Sequence, residues 1–392
     1  MFSNASKLAN VSINDIVHYL SLTTSFDPVR RLGDDDWENI AVTAIALGLA
    51  PLLHWHLEQT NVTVPPLALA KLAITRQAHA KRNESIARQL AEVLEVCACE
   101  KLDVLVLKGA FLAPAAYADA SLRPMNDIDL LFRPKDLVKV GLILENLGYK
   151  GKHKHADQGP GITKHVNTYR RDGNLGATPN PYLSPSGDRV IEPHSSLEES
   201  WFGLKVDITP GVWDRAVSTQ LHHQPAYRLS TSDLVIHLAV HATFHLIMAS
   251  SVLLQLYDIG QVVKIWRDQL DWTQILTLTQ KAQAEPFVYA ALFWAKSIFN
   301  ASIPSEPIKQ LEENCASSLT AYIQSLDASA IFNRTQHPPL VSIAQRLRRG
   351  IEDRRETARW ASSLTGKWQV WQTAFAFYKT DTANILQKKL KA

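Results

Sequence analysis

Apolar and polar positions change rhythm several times along this chain. Up to about residue 98 they keep helical spacing. Pro65-Pro66 favours a helix start, and Leu69, Leu72, Ala73, then Ile86, Leu90 and Leu94 follow on one face. Asp34-Asp35-Asp36 stand ahead of the apolar segment from Trp37, where N-caps are expected. At residue 103 the pattern shortens. DVLVLKG (103–109) predicts a strand ending in glycine. FLAPAAYA (111–118) predicts a short helix, DIDLLFR (127–133) a second strand, and PKDLVKVGLILENLGY (134–149) a helix. ITKHVNTYRR (162–171) predicts a third strand, the Gly/Pro/Ser/Asn-rich run 173–188 a long loop, and RVIEPH (189–194) a fourth strand. From Thr231 nearly everything returns to helical spacing.

These switches predict an α+β protein: a small mixed-sheet domain embedded in a largely helical chain. The expected divisions are a helical region 1–98, an α/β core 99–205, a helical region 206–335 completing a cleft, and a helical tail 336–392.

Composition narrows the function classes. The net charge of +3, from 41 Lys and Arg against 38 Asp and Glu, is too small a field to argue for nucleic-acid binding. Three cysteines imply no disulfide framework, and Cys97-Ala98-Cys99 is a poor zinc signature. The N-terminus lacks a basic region followed by an apolar run, and no stretch of about 18 apolar residues offers a membrane span. The expectation is a cytoplasmic protein.

The chemistry concentrates at Asp127-Ile128-Asp129. In a strand, residues i and i+2 share a face, so the two carboxylates project side by side while Ile128 points inward. Like charges this close are costly unless a cation neutralises them. Hard oxygen donors suit Mg²⁺ or Mn²⁺, which commonly bind carboxylates together with substrate phosphates. Glu192, late in the fourth strand, is the candidate third carboxylate. The competing reading is a turn cap at Asp127 and a surface pair at Asp129.

The order strand, glycine turn, short helix, Asp-X-Asp strand, helix and later acidic strand resembles the nucleotidyltransferase superfamily, with its polymerase-β-like fold. More narrowly, LKGAFLAPAAYADASLRPMNDIDLLFRPKDLVKVGLILENLGY (107–149) is similar to the uncharacterised nucleotidyltransferase family of bacterial proteins. Weaker matches at His165, at Glu192-Pro193-His194, at DLVIHLAVHATFHLIM (233–248) and at LYDIG (256–260) extend the likeness over roughly residues 70–265. The resemblance implies a small mixed-sheet nucleotidyltransferase domain with Asp127, Asp129 and Glu192 as catalytic, metal-binding acids. It implies a nucleotide-binding turn of Lys108, Gly109 and Ala110, with Gly109 letting the backbone approach the phosphates. Arg123 is expected to pair with the triphosphate or the acids; its alternative is a salt bridge that orders the loop. Three departures weaken the match. Ala110 replaces the small residue, often Ser, usual after the glycine; Pro193 interrupts the strand of the third acid; and Ser195 stands where the family usually has Trp.

His237, His241 and His245 recur at i, i+4 and i+8 along one side of a helix. The first and last are about 12 Å apart at 1.5 Å rise per residue, so they cannot meet at one ion. His194, His241, His245 and Asp258 are candidates for the acceptor cleft, against the alternative of a buried structural face. His237 is expected to matter least. In the tail, Trp360, Leu364, Trp368, Trp371, Phe375 and Tyr378 form an apolar stripe, either core or a helix that docks on a partner or a membrane surface. The basic run RLRRGIEDRRETAR (346–359) before it is expected to be a solvated face.

The activity implied is transfer of a nucleoside monophosphate from a nucleoside triphosphate to a small molecule, peptide or protein, with Mg²⁺ or Mn²⁺ as cofactor. The alternatives are a non-catalytic nucleotide-binding scaffold that keeps the fold, and a toxin–antitoxin type of nucleotidyltransferase acting on a partner protein.

Overall fold

The computed structural model describes residues 13–22, 32–153, 167–171, 180, 182, 186–336 and 342–373. Helices α1 (residues 13–19), α2 (Asp34–Ala46) and α3 (Ala50–Glu58) lead to α4 (Pro66–Cys99). The acids at the start of α2 fill its first turn instead of capping it. The N-cap is Gly33, whose N–H donates to Asp36 Oδ2 at 3.0 Å. Carboxylates there still complement the positive end of the helix. At 34 residues, α4 is roughly 50 Å long. It carries a buried polar row, including His79, Arg82, Asn83, Ser85 and Gln89. That row is needed because α4 holds two strand starts by side chain. Gln89 Nε2 donates to Arg189 O at 2.8 Å, and Arg189 N–H donates to Gln89 Oε1 at 2.9 Å. Arg82 Nη1 donates to Asn126 Oδ1 at 2.7 Å, while Asn83 Nδ2 donates to Ala120 O and Arg123 O at 2.6 and 2.8 Å.

The sheet follows. Its strands are β1 (Leu105–Val106), β2 (Asp127–Leu131), β3 (Lys150–His153), β4 (Asn167–Arg170), β5 (Val190–His194), β8 (Val217–Leu221) and β9 (Gln224–Arg228). Among the described residues their order is β3-β4-β5-β2-β1-β9-β8. β2 runs parallel to β5 and β1 parallel to β9, and the other neighbours are antiparallel, so the sheet is mixed as expected. β6 (Glu198–Trp201) and β7 (Leu204–Asp207) pair as a separate hairpin. Helices α5 (Lys108–Ala116) and α6 (Leu137–Asn146) follow β1 and β2 in the chain.

The strands between 198 and 228 were not anticipated. β8 and β9 extend the sheet beyond residue 205, inside the stretch read as helical. Their burial is weak, with a single buried residue in each. Their turn, His222-His223, takes positive φ at both positions (50° and 65°) without the Asn or Gly that normally marks such a turn.

The short α7 (Val212–Arg215) precedes β8, and after β9 the described elements are helical: α8 (Thr231–Ile247), α9 (Leu253–Ile265), α10 (Trp272–Lys281), α11 (Glu285–Phe299), α12 (Ser305–Glu313), α13 (Ser317–Gln324), α14 (Ala328–Thr335) and α15 (Ile343–Arg359). α8 is buried on almost every side, between α9, α10, α11 and β6. Most of α15 is solvated, as the charge run implied, although Arg354 and Thr357 are buried. The tail stripe divides. Trp360 is core, stacked on Phe287 at 5.7 Å, whereas Leu364 and Trp368 are exposed. Phe375 and Tyr378 lie outside the described residues. Among the described residues no helix is long and apolar enough to cross a membrane.

Candidate active site

Strand register assembles the acids. In the parallel pairing of β2 with β5, Asp129 stands opposite Glu192 and Leu131 opposite His194. Ile128 and Leu130, on the other face, are fully buried. Side chains at i and i+2 share a face, so Asp127, Asp129, Glu192 and His194 all belong to one side of the sheet. Among the described residues, one ligand atom each from Asp129, Glu192 and His194 lie within 4.8 Å of one another. Such a group could hold a metal ion. Asp127 is the next residue along this face, outside that tight group, with its side chain open to solvent. Pro193 does not end the strand. It stays in register with Leu130, and Phe132 N–H donates to His194 O at 3.0 Å.

The turn after β1 delivers a cation to the same oxygen. Leu107 N–H donates to Asp129 O at 3.0 Å. Lys108 then turns with φ of +46°, a left-handed conformation uncommon for a residue with a Cβ. Its Nζ lies 2.8 Å from Asp129 Oδ1, and His194 Nε2 lies 2.7 Å from that oxygen. Burial alone would lower the Lys108 pKa, but the carboxylates of Asp129, Asp127 and Glu199 outweigh it and raise it. Burial would raise the Asp129 pKa, but Lys108 and the His194 hydrogen bond hold it well below the usual carboxylate range. Asp127 moves the other way. Desolvation by the dense protein around it, then the like charge of Asp129, push it up to about 7. Its open face tempers the first of these causes.

Gly109 and Ala110 are buried in the first turn of α5. A Cβ at Gly109 would collide with the Arg123 guanidinium and would meet Met125 Cγ at 3.0 Å. The close approach at this glycine is therefore made by Arg123. That arginine takes the loop-ordering alternative. Its Nη2 lies 2.8 Å from Asp258 Oδ2, and Nε donates to Oδ1 at 3.2 Å. Tyr117 OH donates to Asp258 Oδ1 at 2.5 Å. Asp258, expected on the cleft, is instead fully buried: a carboxylate this enclosed needs a bidentate partner, and Arg123 supplies it.

The histidine row of α8 is linked to the acids through Glu199, which no sequence pattern marks. Glu199 is buried on β6, and its Oε1 lies 2.8 Å from His241 Nδ1. It is also one of the carboxylates that raise the Lys108 pKa. His241 and His245 rings are 4.2 Å apart, and Gln255 Nε2 lies 3.2 Å from His245 Nδ1. His237 stacks on His241 at 6.0 Å and is buried. The only sequence signal for Glu199 was an acid a few residues after a strand, which is too common to use. His165 lies outside the described residues.

A family model described as uncharacterised nucleotidyltransferase matches residues 33–300. The chain belongs to this family. No curated protein and no solved structure matches it. Membership supports a general role in nucleotidyl transfer, and the matched span takes in α2 through α11 with every strand between. The α/β core and the first helices after it are thus one family unit, and the tail from α12 onward falls outside the match.

Proposed function

We propose that the protein is a metal-dependent nucleotidyltransferase that moves a nucleoside monophosphate from a nucleoside triphosphate to a hydroxyl or similar group of a small molecule, peptide or protein. One observation carries this reading: the register that sets Asp129 beside Glu192, with Asp127 two residues earlier and open to solvent. These donors fit a hard or borderline dication. When bound, the ion would neutralise phosphate charge and lower the pKa of the acceptor hydroxyl.

The chain's own residues supply the rest. Asp129 and Glu192 would hold the ion, and Asp127 would engage it from the open side once phosphate oxygens arrive. Lys108 offers a phosphate a cation that its neighbours keep charged. Gly109 and Ala110 carry backbone N–H groups at the start of α5, an end that favours anions. The acceptor oxygen would form a bond to the α-phosphorus as the bond to the β-phosphate oxygen breaks. Pyrophosphate would leave with the electron pair, and the hydroxyl proton would pass to water. No protein nucleophile is needed, so catalysis is positioning and charge neutralisation. His241 and His245, on the helix facing β6, are proposed to meet the acceptor.

Calorimetry with a non-hydrolysable triphosphate tests the reading. Affinity should be at least about tenfold higher with Mg²⁺ or Mn²⁺ than without, because substrate oxygens complete the ion's shell. Equal affinity would favour a second reading, a nucleotide-binding scaffold. Its motivation is the ammonium of Lys108, which already neutralises Asp129 from within the chain.

A further inference from the structure

We propose that His194 is itself a metal ligand, and that the site consequently selects a first-row transition dication over Mg²⁺. This rests on the metal-dependent reading above and names the ion that reading leaves open. Sequence pattern offered an all-carboxylate set. The strand register instead brings one nitrogen and two carboxylate donors together: His194 Nε2 is 2.7 Å from Asp129 Oδ1, and the ligand atoms of Asp129, Glu192 and His194 lie within 4.8 Å of one another. His194 is 1% exposed and sits mid-sheet, so its ring has little freedom to turn away.

The donor set carries the selectivity. Mg²⁺ takes oxygen ligands and gives up its waters reluctantly, whereas imidazole nitrogen suits the first-row transition ions, and affinities at such sites rise from Mn²⁺ onward. A neutral imidazole replacing a third carboxylate also removes one negative charge, which weakens a hard ion's attraction most. The ion would take the place of the proton between His194 Nε2 and Asp129 Oδ1, that proton passing to Nδ1 or to solvent so that the ligating ring is neutral, and Lys108 would keep its contact with Asp129. The competing role for His194 is to orient Asp129 by hydrogen bond without touching the ion.

Mn²⁺ is the probe, added alone to the full chain and then with a non-hydrolysable triphosphate. Electron spin-echo spectra of bound Mn²⁺ should show a directly coordinated histidine nitrogen, and titrations should place Mn²⁺ at least about tenfold tighter than Mg²⁺. His194→Gln keeps a donor to Asp129 but removes the ligand. It should lose the nitrogen signal and at least about tenfold in Mn²⁺ affinity, with Mg²⁺ affinity within about threefold. Bound Mn²⁺ with oxygen ligands only, or a Gln variant that keeps the Mn²⁺ preference, would overturn the proposal and leave the metal-dependent reading standing. Failure of Mn²⁺ to bind with or without triphosphate would overturn both. The wild-type spectrum decides even if the variant does not fold.

Discussion

Two buried aspartates in this protein each hold a cation at 2.8 Å, and they do opposite work. Asp258 is paired with Arg123, and Asp129 with Lys108. Around Asp258 the account closes: one acid, one guanidinium gripping both oxygens, and a Tyr117 hydroxyl, with no exposed surface on the carboxylate. Around Asp129 it stays open. Asp127, Glu192 and Glu199 add negative charge that one lysine cannot cancel, and Asp127 faces solvent. A saturated, charge-balanced cluster braces the fold, because any further ligand would have to break a bond already made. An acid-rich cluster with an open side has unspent attraction for a cation, and that is what metal-assisted phosphate chemistry needs.

The contrast is sharpest in substitutions. Asp129→Asn should lower nucleotidyl transfer by at least about 100-fold, roughly 2.7 kcal/mol of transition-state stabilisation, and Asp127→Asn should do the same. Neither should unfold the protein, because Lys108 keeps other carboxylates nearby. A residual rate above a tenth of wild type in either variant would remove the metal role from that residue.

Arg123→Met should show the reverse pattern. It strands a carboxylate with no access to water, so urea unfolding should report a loss of about 3–5 kcal/mol. Removing the acid as well, in Arg123→Met with Asp258→Leu, should recover most of that loss. The single variant, at temperatures where it stays folded, should bind triphosphate and metal nearly as wild type does. A large loss of triphosphate affinity at unchanged stability would move Arg123 into the phosphate site and make the two aspartate clusters alike.

How much of this could be read from the chain follows the same divide. Asp127 and Asp129 were legible because a two-residue period along one strand is a local property. Glu192 was legible as an acid in a second strand, but its place beside Asp129 depends on register, and Pro193 argued against it. The partners Lys108–Asp129, Glu199–His241 and Arg123–Asp258 are 21, 42 and 135 residues apart, and no local pattern encodes them. Gly109 shows the limit well. Its place in the turn was plain, but what presses against it is a side chain fourteen residues on. The strands β8 and β9 were missed for a different reason: a half-exposed hairpin turning through two histidines has neither the alternation nor the turn residues that announce one.

The smallest expected effect probes the open cluster without substrate. In the metal-free protein the crowding around Asp127, then the charge of Asp129, push its carboxyl up to about 7, above the value of about 3.9 expected in the unfolded chain. As pH rises, the unfolded chain gives up this proton first, so the folded form loses stability relative to it between about pH 4 and pH 7 and is level beyond. Asp127→Asn removes that dependence and the repulsion from Asp129. Its thermal midpoint relative to wild type should therefore climb from pH 4.5 to pH 7 in chelator and stay flat to pH 8.5. Because the carboxylate has an open face, the climb should be shallow and should shrink in salt, which screens an exposed charge. With saturating Mn²⁺ and a triphosphate analogue the order should reverse, since only the carboxylate form gains from the ligands. An Asn variant that tracks wild type at every pH would mean Asp129's charge is already cancelled by Lys108, and the acid-rich cluster would then be as closed as the one around Asp258.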